Sequence, residues 1–263
     1  PVFLENDTKE LSRFISKFVR KKSALDLLYL IEDGRLRPAK ALQDALGSML
    51  KGNREFYLID EQKVAFETIR KLVHNSLKEG GNSKYTIIVE GGPGTGKSVV
   101  AIQLLCDLIR SGYTANYVTK NAAPRNVYFE QLRRDAYKQS YIKALFKGSG
   151  SYVDAGKNIF DCLIVDEAHR LQMKSGMFQN LGDCQTREII HASRVSVFFI
   201  DEDQIVTTSD VGSVDLIKEC AQKEGSTLYY GSDINLVSQF RCNGSDGYLA
   251  FLDFLLGIRN TAN

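Results

Sequence analysis

Tyr85-Thr86-Ile87-Ile88-Val89-Glu90-Gly91-Gly92-Pro93-Gly94-Thr95-Gly96-Lys97-Ser98 joins a compact β-branched run to a glycine-rich octet. The run reads as a buried strand, and Lys97 to Arg110 reads as a helix leaving the octet. Gly91 to Ser98 fits G-x-x-x-x-G-K-[ST] at every position. Glycines there let backbone N–H groups turn inward around phosphates, and the helix adds its positive N-terminal end to the same anion. The spacing therefore predicts a nucleotide cradle: Gly92, Pro93, Gly94, Thr95, Gly96, Lys97, Ser98 and Val99 around ATP. Lys97 supplies charge to the β- and γ-phosphates, and Ser98 a hydroxyl ligand to Mg²⁺.

Downstream, Asp161-Cys162-Leu163-Ile164-Val165-Asp166-Glu167-Ala168-His169 carries a second apolar strand into two carboxylates. Ligand sites of α/β sheets lie at such carboxyl ends. Asp166 is expected to hold Mg²⁺, and Glu167 to orient and deprotonate an attacking water. A third run, Val195 to Ile200, ends in Asp201-Glu202-Asp203-Gln204, where the Gln204 carboxamide can sense the γ-phosphate or that water. The acids Asp201 to Asp203 also admit a plainer reading as turn residues.

Strands at Tyr85–Glu90, Ala115–Thr119, Phe160–Val165 and Val195–Ile200 alternate with helices at Gln62–Leu77, Lys97–Arg110 and within Pro124–Phe146. That alternation implies a three-layer α/β/α domain on a parallel sheet with right-handed crossovers. Gly148 to Gly156 reads as a surface loop. Residues 1–53 read as a helical N-terminal segment or connector, ahead of a RecA-like lobe at 54–263. Its stripes are Leu11, Phe14, Ile15, Phe18 and Val19, then Leu25 to Ile31, then Leu42, Ala45, Leu46, Met49 and Leu50 behind Pro38.

Composition sets the outer limits. Apolar and charged fractions of 43% and 25% exclude disordered and fibrous classes. A net charge of +2 announces no global affinity for nucleic acid, although a local patch is compatible with it. Five scattered cysteines without a Cys-x-x-Cys pair argue against a disulfide framework or structural zinc, and for a reducing, cytoplasmic or otherwise intracellular setting. No apolar run approaches membrane-spanning length, so no membrane partner is expected. His74 and His191 read as packing or surface residues. The first residue, Pro1, suggests a fragment of a longer protein.

Taken together, these blocks resemble superfamily 1 helicases, and more closely the Schlafen group 3-like DNA/RNA helicase family. The resemblance covers about residues 56–257. Leu58-Ile59-Asp60-Glu61-Gln62 is similar to the upstream glutamine motif, which implies that Gln62 reads adenine. Gln239-Phe240-Arg241-Cys242 is similar to the fourth motif, which implies that Arg241 is an arginine finger. The segment Tyr117 to Arg125 sits where such helicases touch single-stranded DNA or RNA, and Thr119, Lys120, Asn121 and Arg125 offer charge and hydrogen bonds to phosphates. A solvated strand-to-helix loop is the competing reading. Gly244 to Tyr248 also matches, without a chemical role. The resemblance further implies a second RecA-like lobe, most of it beyond Asn263, and a domain upstream. Three other activities compete: a superfamily 2 enzyme, disfavoured by Asp-x-x-Gln in the third motif; a small-molecule kinase, disfavoured by Glu167; and a nucleotide-dependent switch acting on a protein partner.

Overall fold

The computed structural model describes residues 8–18, 42–53, 57–58, 60–78, 83–176, 178, 180–205, 207–238, 250–251, 254–255 and 257. The chain divides into two units, Pro1–Lys40 and Ala41–Asn263. In the first, α1 (Thr8–Phe18) is an amphipathic helix with Glu10 in its first turn and Lys17 in its last, each matching the helix dipole. The predicted helix at Leu25–Ile31 lies outside the described residues.

The second unit is built on six parallel strands: β1 (Tyr85–Glu90), β2 (Ala115–Val118), β3 (Phe146–Lys147), β4 (Phe160–Val165), β5 (Ser193–Ile200) and β6 (Thr227–Tyr229). Their order is β3-β2-β4-β5-β1-β6. Successive side chains of a strand point to opposite faces, and this divides the core into two layers. Ile87, Val89, Cys162, Ile164, Val195, Val197 and Phe199 face one side. Ile88, Leu163, Val165, Phe198 and Ile200 face the other. Strands covered on both faces are near-continuous apolar runs, as β1, β4 and β5 are, and the buried hydroxyls Thr86 and Ser196 that interrupt them bond to each other at 3.1 Å.

Helices α2 (Leu42–Leu50), α3 (Asp60–Lys78), α4 (Lys97–Arg110), α5 (Ala122–Arg134) and α6 (Gln139–Leu145) accompany the first layer. Helices α7 (Gln185–Ala192) and α8 (Val214–Lys223) cover the second. The Lys84 ammonium closes the amino edge of the sheet by donating to the Ser193 carbonyl at 2.8 Å and to Asn158 Oδ1 at 2.6 Å.

Three local expectations change. Phe146 leaves the helical segment to open β3 beside β2, where it pairs with Tyr117. Thr119 falls just past the end of β2. Gly148 to Gly156 is not a plain surface loop. It contains a 3-10 turn (Ser149–Tyr152) whose Tyr152 is buried edge-on against Phe160, at 5.6 Å between ring centroids.

Helix α2 packs against α4 and α5, with Ala45, Leu46 and Met49 buried in the first core layer. No helix among the described residues is long and apolar enough to cross a membrane. Leu46→Ala should destabilise the second unit by about 2–5 kcal/mol, read from the urea unfolding midpoint. A loss below about 0.5 kcal/mol, the range of ordinary surface substitutions, would show that α2 is not part of this core.

Candidate nucleotide site

In the strand order, β5 lies between β4 and β1, so their three carboxyl ends are adjacent. The register places Val165 opposite Phe198 and Glu90 opposite Ile200. The chain therefore leaves the sheet side by side into the glycine loop, the acidic pair and the Asp201–Gln204 turn. Together with the start of α3 these form a cleft of about 730 Å³, lined by Gly92 to Gly94, Gly96 to Val99, Gln62, Asp166, Glu167 and Gln204.

The loop is held open by its own backbone. Gly94 and Gly96 have φ of 81° and 90°, the left-handed region that glycine occupies without steric cost. A Cβ on Gly96 would strike the Gln62 amide. Gln62 donates through Nε2 to the Thr95 carbonyl at 2.9 Å, tying the start of α3 to the cradle. Lys97 is buried, and its ammonium donates to the carbonyls of Gly91 at 2.5 Å and Gly92 at 2.9 Å. It also stands 3.5 Å from Asp201 Oδ2. Asp201 in turn accepts from Gln204 Nε2 at 2.5 Å. Asp201 is thus a buried partner of Lys97 rather than a solvated turn acid.

Asp166, buried at the end of β4, collects three donors. Ser98 Oγ donates to its Oδ2 at 2.7 Å, Tyr117 OH to the same oxygen at 2.5 Å, and the Glu167 amide to Oδ1 at 3.0 Å. Burial, with the Asp166 carboxylate beside it, pushes the Tyr117 phenol well above its ordinary value, so it remains a donor. The sequence places Tyr117 only at the start of the segment that reads as a nucleic-acid contact, with no part in the metal site. It faces Ile164 across the β2–β4 pair, and the contact exists only through that pairing. Leu42, which reads from sequence only as part of a helix stripe, and Tyr57 also line the cleft.

Glu167 has φ 55° and ψ 49°, a left-handed conformation that costs a non-glycine residue of order 1–3 kcal/mol. Its carboxylate lies 3.1 Å from His169 Nε2. Burial, then the Asp166 charge, raise the Glu167 carboxyl above the usual range. Burial also lowers the His169 imidazole, favouring its neutral form. Glu167 is therefore positioned near the cleft as a carboxylate with raised basicity.

The four residues singled out for nucleic acid separate. Thr119 is buried and lines the cleft, and its Oγ1 has no hydrogen-bond partner among the described residues. Lys120 pairs at 2.9 Å with Asp210, a carboxylate wholly removed from solvent. Asn121 caps α5 by accepting from the Ala123 amide at 3.1 Å. Arg125 donates through Nε to the Asn121 carbonyl at 3.3 Å. Asn121 is exposed and Arg125 half-buried. Gln239 to Cys242, with Arg241, and Gly244 to Tyr248 lie outside the described residues.

Asp210 also pairs with Arg170 at 2.9 Å, so one buried acid joins the loop after β2 to the residue following the acidic tetrad. Burial opposes its ionisation, but Lys120, the Thr207 side chain and Arg170 outweigh that cost and hold the carboxyl below its ordinary value. A lowered folded-state value means that the stabilisation is fully present above the unfolded-state value of about 3.9 and is lost as pH falls through the folded-state value. Asp210→Asn should cost roughly 1–3 kcal/mol at pH 7, read from urea unfolding. The gap between variant and wild type should close below about pH 4; a gap independent of pH would assign the effect to packing.

Among solved structures, a DNA replication initiation factor matches at 14% identity over 80% of this chain and 55% of its own, with a TM-score of 0.38. AMPPCP-bound DnaA from Aquifex aeolicus matches at 15% over 79% and 54%, with a TM-score of 0.37. A replication initiator DnaA bound to AMPPCP and single-stranded DNA matches at 18% over 70% and 48%, with a TM-score of 0.35. The chain spans about half the length of these structures. No curated protein matches the sequence. Residues 84–263 match the family described as Schlafen group 3, DNA/RNA helicase domain, and this match spans the glycine loop, both strand-end acids and the Asp201–Gln204 turn. With that match over most of its length and a parallel P-loop sheet beneath it, the chain belongs to the Schlafen group 3 DNA/RNA helicase domain family.

Proposed function

We propose that the second unit binds Mg²⁺–ATP in the cleft and hydrolyses it, as the first RecA-like motor lobe of a superfamily 1-like helicase. The observation that carries this reading is the meeting of Lys97 and Ser98 from the β1 end with Asp166 and Glu167 from the β4 end in one cleft. Hydroxyl and carboxylate oxygens 2.7 Å apart form the hard donor set that Mg²⁺ prefers alongside phosphate oxygens and water. Ser98 and Asp166 would hold that ion, whose charge when bound offsets the charge developing on the β- and γ-phosphate oxygens.

Lys97 would exchange the Gly91 and Gly92 carbonyls for phosphate oxygens. Glu167 would leave His169, accept a proton from the attacking water and carry it as a carboxylic acid. Gln204 would orient that water or the γ-phosphate. Gln62 would read the adenine edge, in a cleft that Tyr57 and Leu42 also line, and Arg241 would approach as the arginine finger. Single-stranded DNA or RNA would cross the loop after β2 at Asn121 and Arg125, with Lys120 joining if it leaves Asp210. Thr119, being buried, fits the cleft wall better than a strand contact. A second RecA-like lobe would complete the motor, with an upstream domain joined through residues 1–53.

A nucleotide-dependent switch acting on a protein partner gains support from one observation: Lys120, the cation expected to meet phosphates, is already neutralised by Asp210. Hydrolysis measured with and without single-stranded DNA and RNA, in the chain and in a two-lobed protein containing it, separates the two readings. Stimulation by either strand supports the motor, whereas indifference to both supports the switch. Glu167→Gln should keep ATP bound and lower kcat at least about a hundredfold. Lys97→Ala should abolish nucleotide binding or turnover. Wild-type affinity and turnover in Lys97→Ala would remove the site assignment.

A further inference from the structure

We infer that Tyr117 is a positioning residue for the metal-binding carboxylate: its hydroxyl fixes the orientation of Asp166 and thereby sets the affinity of the site for a divalent cation. This rests on the assignment of Asp166 and Ser98 to Mg²⁺ above. The Asp166 carboxylate has three donors, and two of them belong to groups with other tasks. Ser98 Oγ, on Oδ2, is itself a ligand candidate. The Glu167 amide, on Oδ1, is the next peptide of the same chain. Tyr117 OH, on Oδ2, comes from a different strand and has no ligand task of its own.

The phenol has little freedom to do anything else. Its strand is registered against β4, with Tyr117 opposite Ile164 and Val118 opposite Val165. The Asp166 amide donates to the Val118 carbonyl at 2.9 Å, so donor and acceptor side chains spring from backbones already fixed to each other. Tyr128 and Phe146 each stand 5.7 Å from the Tyr117 ring, edge-on and tilted, and close it into the first core layer. The ring is 2% exposed, yet the residue lines the cleft. A phenol so held gives the carboxylate one fixed donor on Oδ2, which restrains its rotation beside the cleft that Asp166 lines. Outer-shell donors of this kind typically change metal affinity about 10- to 100-fold when removed.

Tyr117→Phe removes the hydroxyl and keeps the ring packed. The test is a Mn²⁺ titration followed by electron paramagnetic resonance on the full chain saturated with a non-hydrolysable ATP analogue. Wild type, Tyr117→Phe and Asp166→Asn are compared, with nucleotide affinity in EDTA measured for each. The expected result is a weakening of Mn²⁺ binding by about tenfold or more in Tyr117→Phe, with unchanged metal-free nucleotide affinity. Wild-type Mn²⁺ affinity in Tyr117→Phe but not in Asp166→Asn would overturn the inference and leave the metal assignment standing. Wild-type affinity in Asp166→Asn would overturn the metal assignment itself. A parallel fall in metal-free nucleotide affinity in Tyr117→Phe would assign the tyrosine to packing and also overturn the inference.

Discussion

A carboxylate taken out of water must be given donors, and Asp166 shows how much structure that demand organises. Its charge sits at the end of β4 among apolar strands, where an unpaired ion would cost several kcal/mol. The donors come from three directions: Ser98 at the start of α4, Tyr117 on β2 and the next amide of its own chain. To bring them within reach, β2 must pair with β4 in one register, and the glycine loop must turn so that α4 begins beside the acid. The geometry of the cleft is largely the geometry that satisfies this one group.

Two more buried acids repeat the arrangement on a wider radius. Asp201, past β5, faces the Lys97 ammonium and the Gln204 amide. Asp210 takes Lys120 from the loop after β2 and Arg170 from the turn after the tetrad. The Asp210 loop is further held where it touches that turn: Val211 donates to the Leu171 carbonyl at 2.8 Å, and a Cβ on Gly212 would run into the Ala168 backbone. The three acids tie the loops leaving β1, β2, β4 and β5 into one network. A displacement of any one loop has to be accommodated by charges on its neighbours.

How much of this the sequence discloses depends on whether a feature is local. β1, β4 and α4 can be bounded from the chain alone because strands buried on both faces are continuous apolar runs, here stopped by Gly91, Asp166 and the loop glycines. The edge strands β3 and β6 leave no such trace, having two and three residues and no periodicity. The buried Tyr152 is hidden by its Gly/Ser-rich neighbours. The P-loop and the acidic pair are contiguous motifs with fixed spacing, so their residues are found together in the cleft. The bonds from Tyr117 to Asp166 and from Lys120 to Asp210 span 49 and 90 positions, and no local pattern encodes them. Lys120 and Asn121 illustrate the consequence: both look available to a ligand from sequence, yet one neutralises a buried acid and the other caps a helix.

The structure also bears on the energetics of the proposed reaction. Lys97, Ser98 and Glu167 already have protein partners: two loop carbonyls, the Asp166 carboxylate and the His169 imidazole. Nucleotide binding would therefore replace one set of hydrogen bonds by another instead of stripping water from a bare buried charge. Exchange of this kind is cheap, because the desolvation of Lys97 and Asp166 was met when the chain folded. Selectivity then has to come from what the new partners offer beyond the old ones. A triphosphate with its cation offers Lys97 full negative charge in place of carbonyl dipoles, and charge-assisted bonds are about twice as strong as neutral ones. Glu167 stands apart from this economy. Its carboxyl is raised by burial and by the Asp166 charge, and its left-handed residue donates its amide to Asp166 Oδ1; the proposed reaction would use that raised carboxyl as the base that takes a proton from water.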